Sequence, residues 1–204
     1  MKAAPSHAAR LALCSAGVGL VLGGATLGFG AMEGATALWG FGTACLLQVA
    51  PALSLRARIR DGLGNRGLER ERLTLRAISH LLRLLALGLA LASVSALMGG
   101  RAPQASLLAP GLAFLGIAFQ ASLWRAKQRL IGVHPILDLD AARTRTLLDL
   151  AALLLVGTLL GCWFPWADAI TGLAMALRLF IEARGLAKRT TLQAACGGCG
   201  SGCG

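Results

Sequence analysis

The chain has 204 residues, 56% of them hydrophobic and only 14% charged, which excludes an ordinary soluble domain and makes a lipid bilayer the expected solvent. A formal net charge of +11, from 20 Lys and Arg against 9 Asp and Glu, raises nucleic acid as a partner. That class is set aside because the charges lie between apolar runs instead of forming a basic face interleaved with aromatics.

Residues 1–10 hold Lys2 and Arg10 and read as a cytosolic N-terminus. The apolar run after them, Leu11 to Met32, is longer than the core of a signal peptide and reads as a first membrane span over 11–31. Gly17, Gly19, Gly23, Gly24, Gly28 and Gly30 crowd this span, and small residues at such spacing let membrane helices approach closely, within one chain or between two copies. Further spans are expected over 36–55, 77–98, 105–124, 146–164 and 166–184. The last two are joined by Trp163-Phe164-Pro165-Trp166, whose tryptophans suit the headgroup region and whose proline suits a tight return, so they predict a helical hairpin. Residues 11–184 thus form an all-α, polytopic domain of six transmembrane helices, followed by a tail over 185–204.

Seventeen of the 20 basic residues fall in the N-terminus, the loops after spans 2 and 4, and the tail, whereas the opposite loops hold only Arg101. Basic loops are retained in the cytoplasm, so both termini are expected there, in a multi-pass protein of the inner (plasma) membrane. The tail CGGCGSGCG then carries Cys196, Cys199 and Cys203 in a reducing compartment, where structural disulfides are not expected. A CxxC followed by CxxxC, with glycines that let the loop wrap, suits transient capture of zinc or another soft divalent cation. The competing reading is a disordered tail whose thiols do nothing.

Charges inside spans are functional candidates by default, unless they lie near helix ends and reach the interface. Arg178 and Glu182 in span 6, and Arg145 and Asp149 at the inner end of span 5, are each four apart and predict ion pairs along a helix, or groups in an ion path. Asp168, at the outer end of span 6, is read as a helix N-terminal residue or an ion-exit group. Cys14, Cys45 and Cys162 read first as small apolar side chains, and Cys45 and Gln48 are the polarizable groups of span 2. His7, His80 and His134 form no i, i+4 pair and build no helical metal clamp. Nothing in the chain makes a nucleophile–base set or a phosphate loop, so an enzyme is not expected.

Several motifs add a resemblance. The order of spans and basic loops, Pro135-Ile136-Leu137-Asp138-Leu139-Asp140-Ala141 leading into span 5, Gly157 ten residues after Leu147, and Trp166-Ala167-Asp168-Ala169-Ile170 followed by Glu182 resemble the cation diffusion facilitator family of divalent-metal exporters. The stretch GLGNRGLERERL, Gly62 to Leu73, is loosely similar to that family's approach to span 3. The resemblance implies metal-cation efflux or handling and a homodimer, with no tightly bound cofactor.

It also implies four His/Asp ligands, paired at i, i+4 on spans 2 and 5, and here the chain departs from it. The span 5 pair falls on Arg143 and Leu147, or with a shifted register on Arg145 and Asp149. The span 2 pair falls near Gly40 and Ala44, in a span with no carboxylate or imidazole, and only about 20 residues remain for the family's cytosolic domain. Two readings follow. A softer ion is carried along Cys45, Gln48, Asp149, Asp168, Arg178 and Glu182; alternatively, transport is lost and the chain is an accessory or metal-sensing membrane protein on the same scaffold.

Overall fold

The computed structural model describes residues 3–60, 68–100, 108–129 and 135–196, and among these the chain is all-helical, with no strand. Seven helical segments follow in order: α1 Ala3–Glu33, α2 Thr36–Leu47, α3 Val49–Arg60, α4 Leu68–Met98, α5 Leu108–Gln128, α6 Pro135–Leu160 and α7 Ala167–Cys196. α2 and α3 are one rod with a kink. Pro51 has no N–H to give the carbonyl of Leu47, so the ladder breaks at Gln48, whose own N–H turns to the Cys45 carbonyl at 3.2 Å.

The turns between rods have local causes. Gly34 takes φ +67°, and the Ala35 N–H reaches back to the Gly30 carbonyl at 3.0 Å, closing α1 with a left-handed cap that a side chain would strain. The hairpin expected at Trp163-Phe164-Pro165-Trp166 forms between α6 and α7, with the Phe164 and Trp166 rings 5.1 Å apart on its exposed tip.

One apolar core runs through the bundle around Leu38, Phe41, Leu82, Leu89, Leu150, Leu154, Met175 and Leu179, and α4 lies along α7 for most of its length. Outward faces are apolar too: Val21 is 76% exposed and Leu91 71%, with Leu84, Phe114, Phe119, Val156 and Leu177 also uncovered. So wide an apolar exterior would be costly in water and is what a lipid-facing surface requires. Among the described residues three stretches are long and apolar enough to cross a membrane, His7–Glu33, Thr36–Arg60 taken through the kink, and Leu73–Met98.

Backbones touch most closely where α1 meets α2. A Cβ on Gly42 would lie 2.6 Å from the Leu27 nitrogen and 2.9 Å from the Gly23 carbonyl, and Gly19 and Gly30 are held as tightly by Cys45 and Trp39. Of the six glycines expected to serve packing in span 1, Gly17, Gly24 and Gly28 meet nothing within 4 Å, because they lie on the other flank of the helix. Gly42→Ala should therefore cost about 1–3 kcal/mol by overpacking. Gly24→Ala should be neutral or slightly stabilising through helix propensity. Thermal unfolding of the two variants in detergent compares them, and equal melting temperatures would refute this account of the seam.

Candidate functional site

The break at Gln48 turns a polar side chain into the bundle at a level where no water reaches it; Gln48 is 2% exposed. Its amide nitrogen donates to Ser15 Oγ of α1 at 3.3 Å and to Thr144 Oγ1 of α6 at 3.4 Å. Both hydroxyls also accept from Lys127 Nζ, each at 2.8 Å, and the third partner of that ammonium is Asp140 Oδ2 at 2.7 Å. Thr144 Oγ1 passes its own proton to the Asp140 carbonyl one turn earlier, at 3.0 Å. An ammonium has three protons, and here each meets an oxygen.

Lys127 belongs to the last turn of α5, and its side chain is only 3% exposed. A long flexible stem lets the amine leave the helix end and reach inward, the reverse of the usual course toward water. Gln120 lies seven residues earlier on the same helix face, fully buried, with neither amide atom bonded to protein, and Gln48 Oε1 is also without a partner. The bundle thus holds a buried polar cluster organised around an ammonium of the chain itself.

A second polar group lies between α6 and α7. Arg178 binds Asp149 through Nε and Nη2 at 3.2 and 2.8 Å, and also reaches Thr146 Oγ1 at 3.2 Å. Arg143 pairs with Glu182 at 3.4 Å, leaving its Nη1 without a hydrogen-bond partner. These side chains line an open groove of about 320 Å³, together with Arg145, Ile181 and Gly185. On its other flank Arg143 borders a cavity of about 30 Å³ beside Pro51 and Thr74.

The residues singled out from sequence are therefore divided among separate places. Gln48 belongs to the Lys127 cluster. Cys45 is buried in the apolar core, packed as a small side chain. The pairs expected along single helices, Arg178 with Glu182 and Arg145 with Asp149, are replaced by pairs between helices, because the two carboxylates face the seam and meet the arginine of the opposite rod. Asp168 caps a different helix from its own: its carboxylate accepts from the N–H groups of Thr36 at 2.8 Å and Ala37 at 3.2 Å. Those are free donors at the start of α2, where Ala35 offers no capping side chain. Cys196 is the last residue of α7, and Cys199 and Cys203 lie outside the described residues. Among the described residues no group of three or more His, Cys, Asp or Glu is placed to hold a metal ion.

Ser15, Lys127, Asp140 and Thr144 were the residues not singled out. Lys127 read as one more basic loop residue; the i, i+4 spacing of Asp140 and Thr144, and the i, i+7 spacing of Gln120 and Lys127, were the signals available. No family model matches the chain, and no curated protein matches it.

Two outcomes test this geometry. Lys127→Met or Asp140→Asn leaves a buried charge without its partner and should cost about 3–5 kcal/mol, while the double variant should recover much of that loss. Additive losses in detergent unfolding would show that the two do not act as a pair. Asp168→Ala should destabilise by about 0.5–2 kcal/mol through the lost cap, and hydrogen exchange should quicken at the Thr36 and Ala37 amides if the contact exists.

Proposed function

We propose that the chain is a polytopic membrane protein of six spans with both termini in the cytosol, and that it handles soft divalent cations without carrying them through its bundle. On this reading it is an accessory or sensing protein on a scaffold resembling the cation diffusion facilitators. Its tail thiols Cys196, Cys199 and Cys203 capture metal at the cytosolic face.

The observation that carries the reading is the Lys127 ammonium among Ser15, Asp140 and Thr144. Those oxygens and Gln48 are the interior groups that would otherwise receive a cation, and the amine already fills them. At an effective dielectric of 20, a divalent ion 4 Å from a fixed unit charge is opposed by about 8 kcal/mol. The Asp140 carboxylate would offset part of that, but it is already paired with the amine, so the cluster offers a divalent ion no net negative charge. A carrier reading draws on the same observation from the other side: were the amine to swing toward water, four oxygen-bearing side chains on α1, the α2/α3 junction and α6 would be left facing one another.

Metal uptake into proteoliposomes separates the two. With zinc, cadmium and cobalt in parallel, the accessory reading expects no uptake above empty vesicles. It also expects metal bound by the purified protein to be lost when Cys196, Cys199 and Cys203 are replaced by serine. Uptake by the unmodified protein would replace this reading with the carrier one. A cytosol-active reporter fused to the C-terminus should be active; activity only from a periplasmic reporter would overturn the orientation.

A further inference from the structure

The groove between α6 and α7 has a composition that the bundle does not need for its own cohesion. Three arginines, Arg143, Arg145 and Arg178, line it against two carboxylates, Asp149 and Glu182. Glu182 takes Arg143 and Asp149 takes Arg178, which leaves Arg145 exposed, with no carboxylate partner among the described residues. Arg143, 6% exposed, keeps its Nη1 without a partner, while Thr146 accepts from Arg178 and gives its own proton to the Ala142 carbonyl at 3.4 Å. Arginine N–H groups arrayed in this way match the several acceptor oxygens of a phosphate.

The groove is also open at the flank that faces lipid. Ile181, on its rim, is 54% exposed, and Leu177, one turn away on α7, is uncovered as well. Its volume of about 320 Å³ has room for a headgroup, and α6 and α7 bring its arginines to the same end of the bundle as Lys127 and Arg125. A ligand that fits would be anionic at one end and apolar at the other.

We infer that this groove binds the phosphate of an anionic phospholipid of the inner leaflet, held by Arg145 and Arg143, with acyl chains lying along Ile181 and Leu177. The inference rests on the membrane placement under the proposed function and is independent of what the tail thiols or the Lys127 cluster do. Phosphate held between two helices at the cytosolic face is the means by which basic seams select acidic lipid. Asp149 and Glu182 keep Arg178 and part of Arg143 neutralised, so the attraction is set by one unpaired charge and by hydrogen bonding.

The test is native mass spectrometry of the full chain in detergent, titrated with phosphatidylglycerol or phosphatidylcholine, with inorganic phosphate as a third arm. Phosphatidylglycerol should bind at least about ten times more tightly than phosphatidylcholine. Arg145→Gln, a change at an exposed residue with no ion pair to lose, should reduce that preference several-fold while leaving the melting temperature unchanged. Equal affinity for the two lipids would overturn the assignment, as would a preference untouched by Arg145→Gln. Inorganic phosphate that binds with the affinity of the lipid and displaces it would assign the groove to the free anion instead. A dimer that carries no lipid and separates on Arg145→Gln would give the groove to a second copy. A chain found in the aqueous fraction without detergent would fail the membrane reading itself, an outcome separate from an integral protein that shows no lipid preference.

Discussion

An ammonium taken out of water must be solvated by the protein, and in this chain that requirement falls on four segments at once. Lys127 comes from α5, Ser15 from α1, and Asp140 and Thr144 from α6, while Gln48 at the α2/α3 junction ties the two hydroxyls together. Hydrophobic packing does not discriminate strongly between rotations of a greasy helix among greasy neighbours, particularly when lipid tails compete for the same contacts. A buried charge does discriminate, because any rotation that removes an oxygen leaves an N–H unpaired at a cost of about 1–3 kcal/mol or more. The cluster therefore fixes register among rods that apolar contact alone would leave free to turn.

The α1/α2 seam meets a different demand. Gly19, Gly23, Gly30 and Gly42 remove side chains where backbones touch, so that dispersion forces act between main chains at short range. One end is held by Asp168 on the α2 N-terminus and the other opens into the Lys127 cluster. Close packing in the middle and directional polar contacts at both ends give the first rods of the chain a single arrangement against the last.

Much of this was legible in the sequence. Each of the six apolar runs has a helical rod along most of its length, but α6 ends at Leu160, before the expected end of its span at 164, and residues 105–107 of the fourth lie outside the described residues; Pro165 stands where α6 and α7 meet. Pro51 announced a break that sequence reading absorbed into one continuous span. What the sequence withheld was which residue on one rod faces which on another. Spacing of i, i+4 identifies neighbours on one helix; it says nothing of the rotation of α7 against α6, which decides that Arg178 meets Asp149 and not Glu182. Gly17 and Gly24 look the same as Gly19 and Gly23 in the sequence for the same reason. Lys127 was missed because a lysine at a helix end is expected to reach for water, and only the inward-facing oxygens of α1 and α6 reverse that preference.

The cap that Asp168 places on α2 joins residues 132 positions apart. At ribosomal rates of about 5–20 residues per second, α2 is complete at Leu47 roughly 6–24 s before the aspartate that caps it has been made. Through that interval the first turn of α2 stands with two backbone donors open. The α6/α7 hairpin closes them, so that a helix made early is completed by a contact that no chain cut short of Asp168 can form.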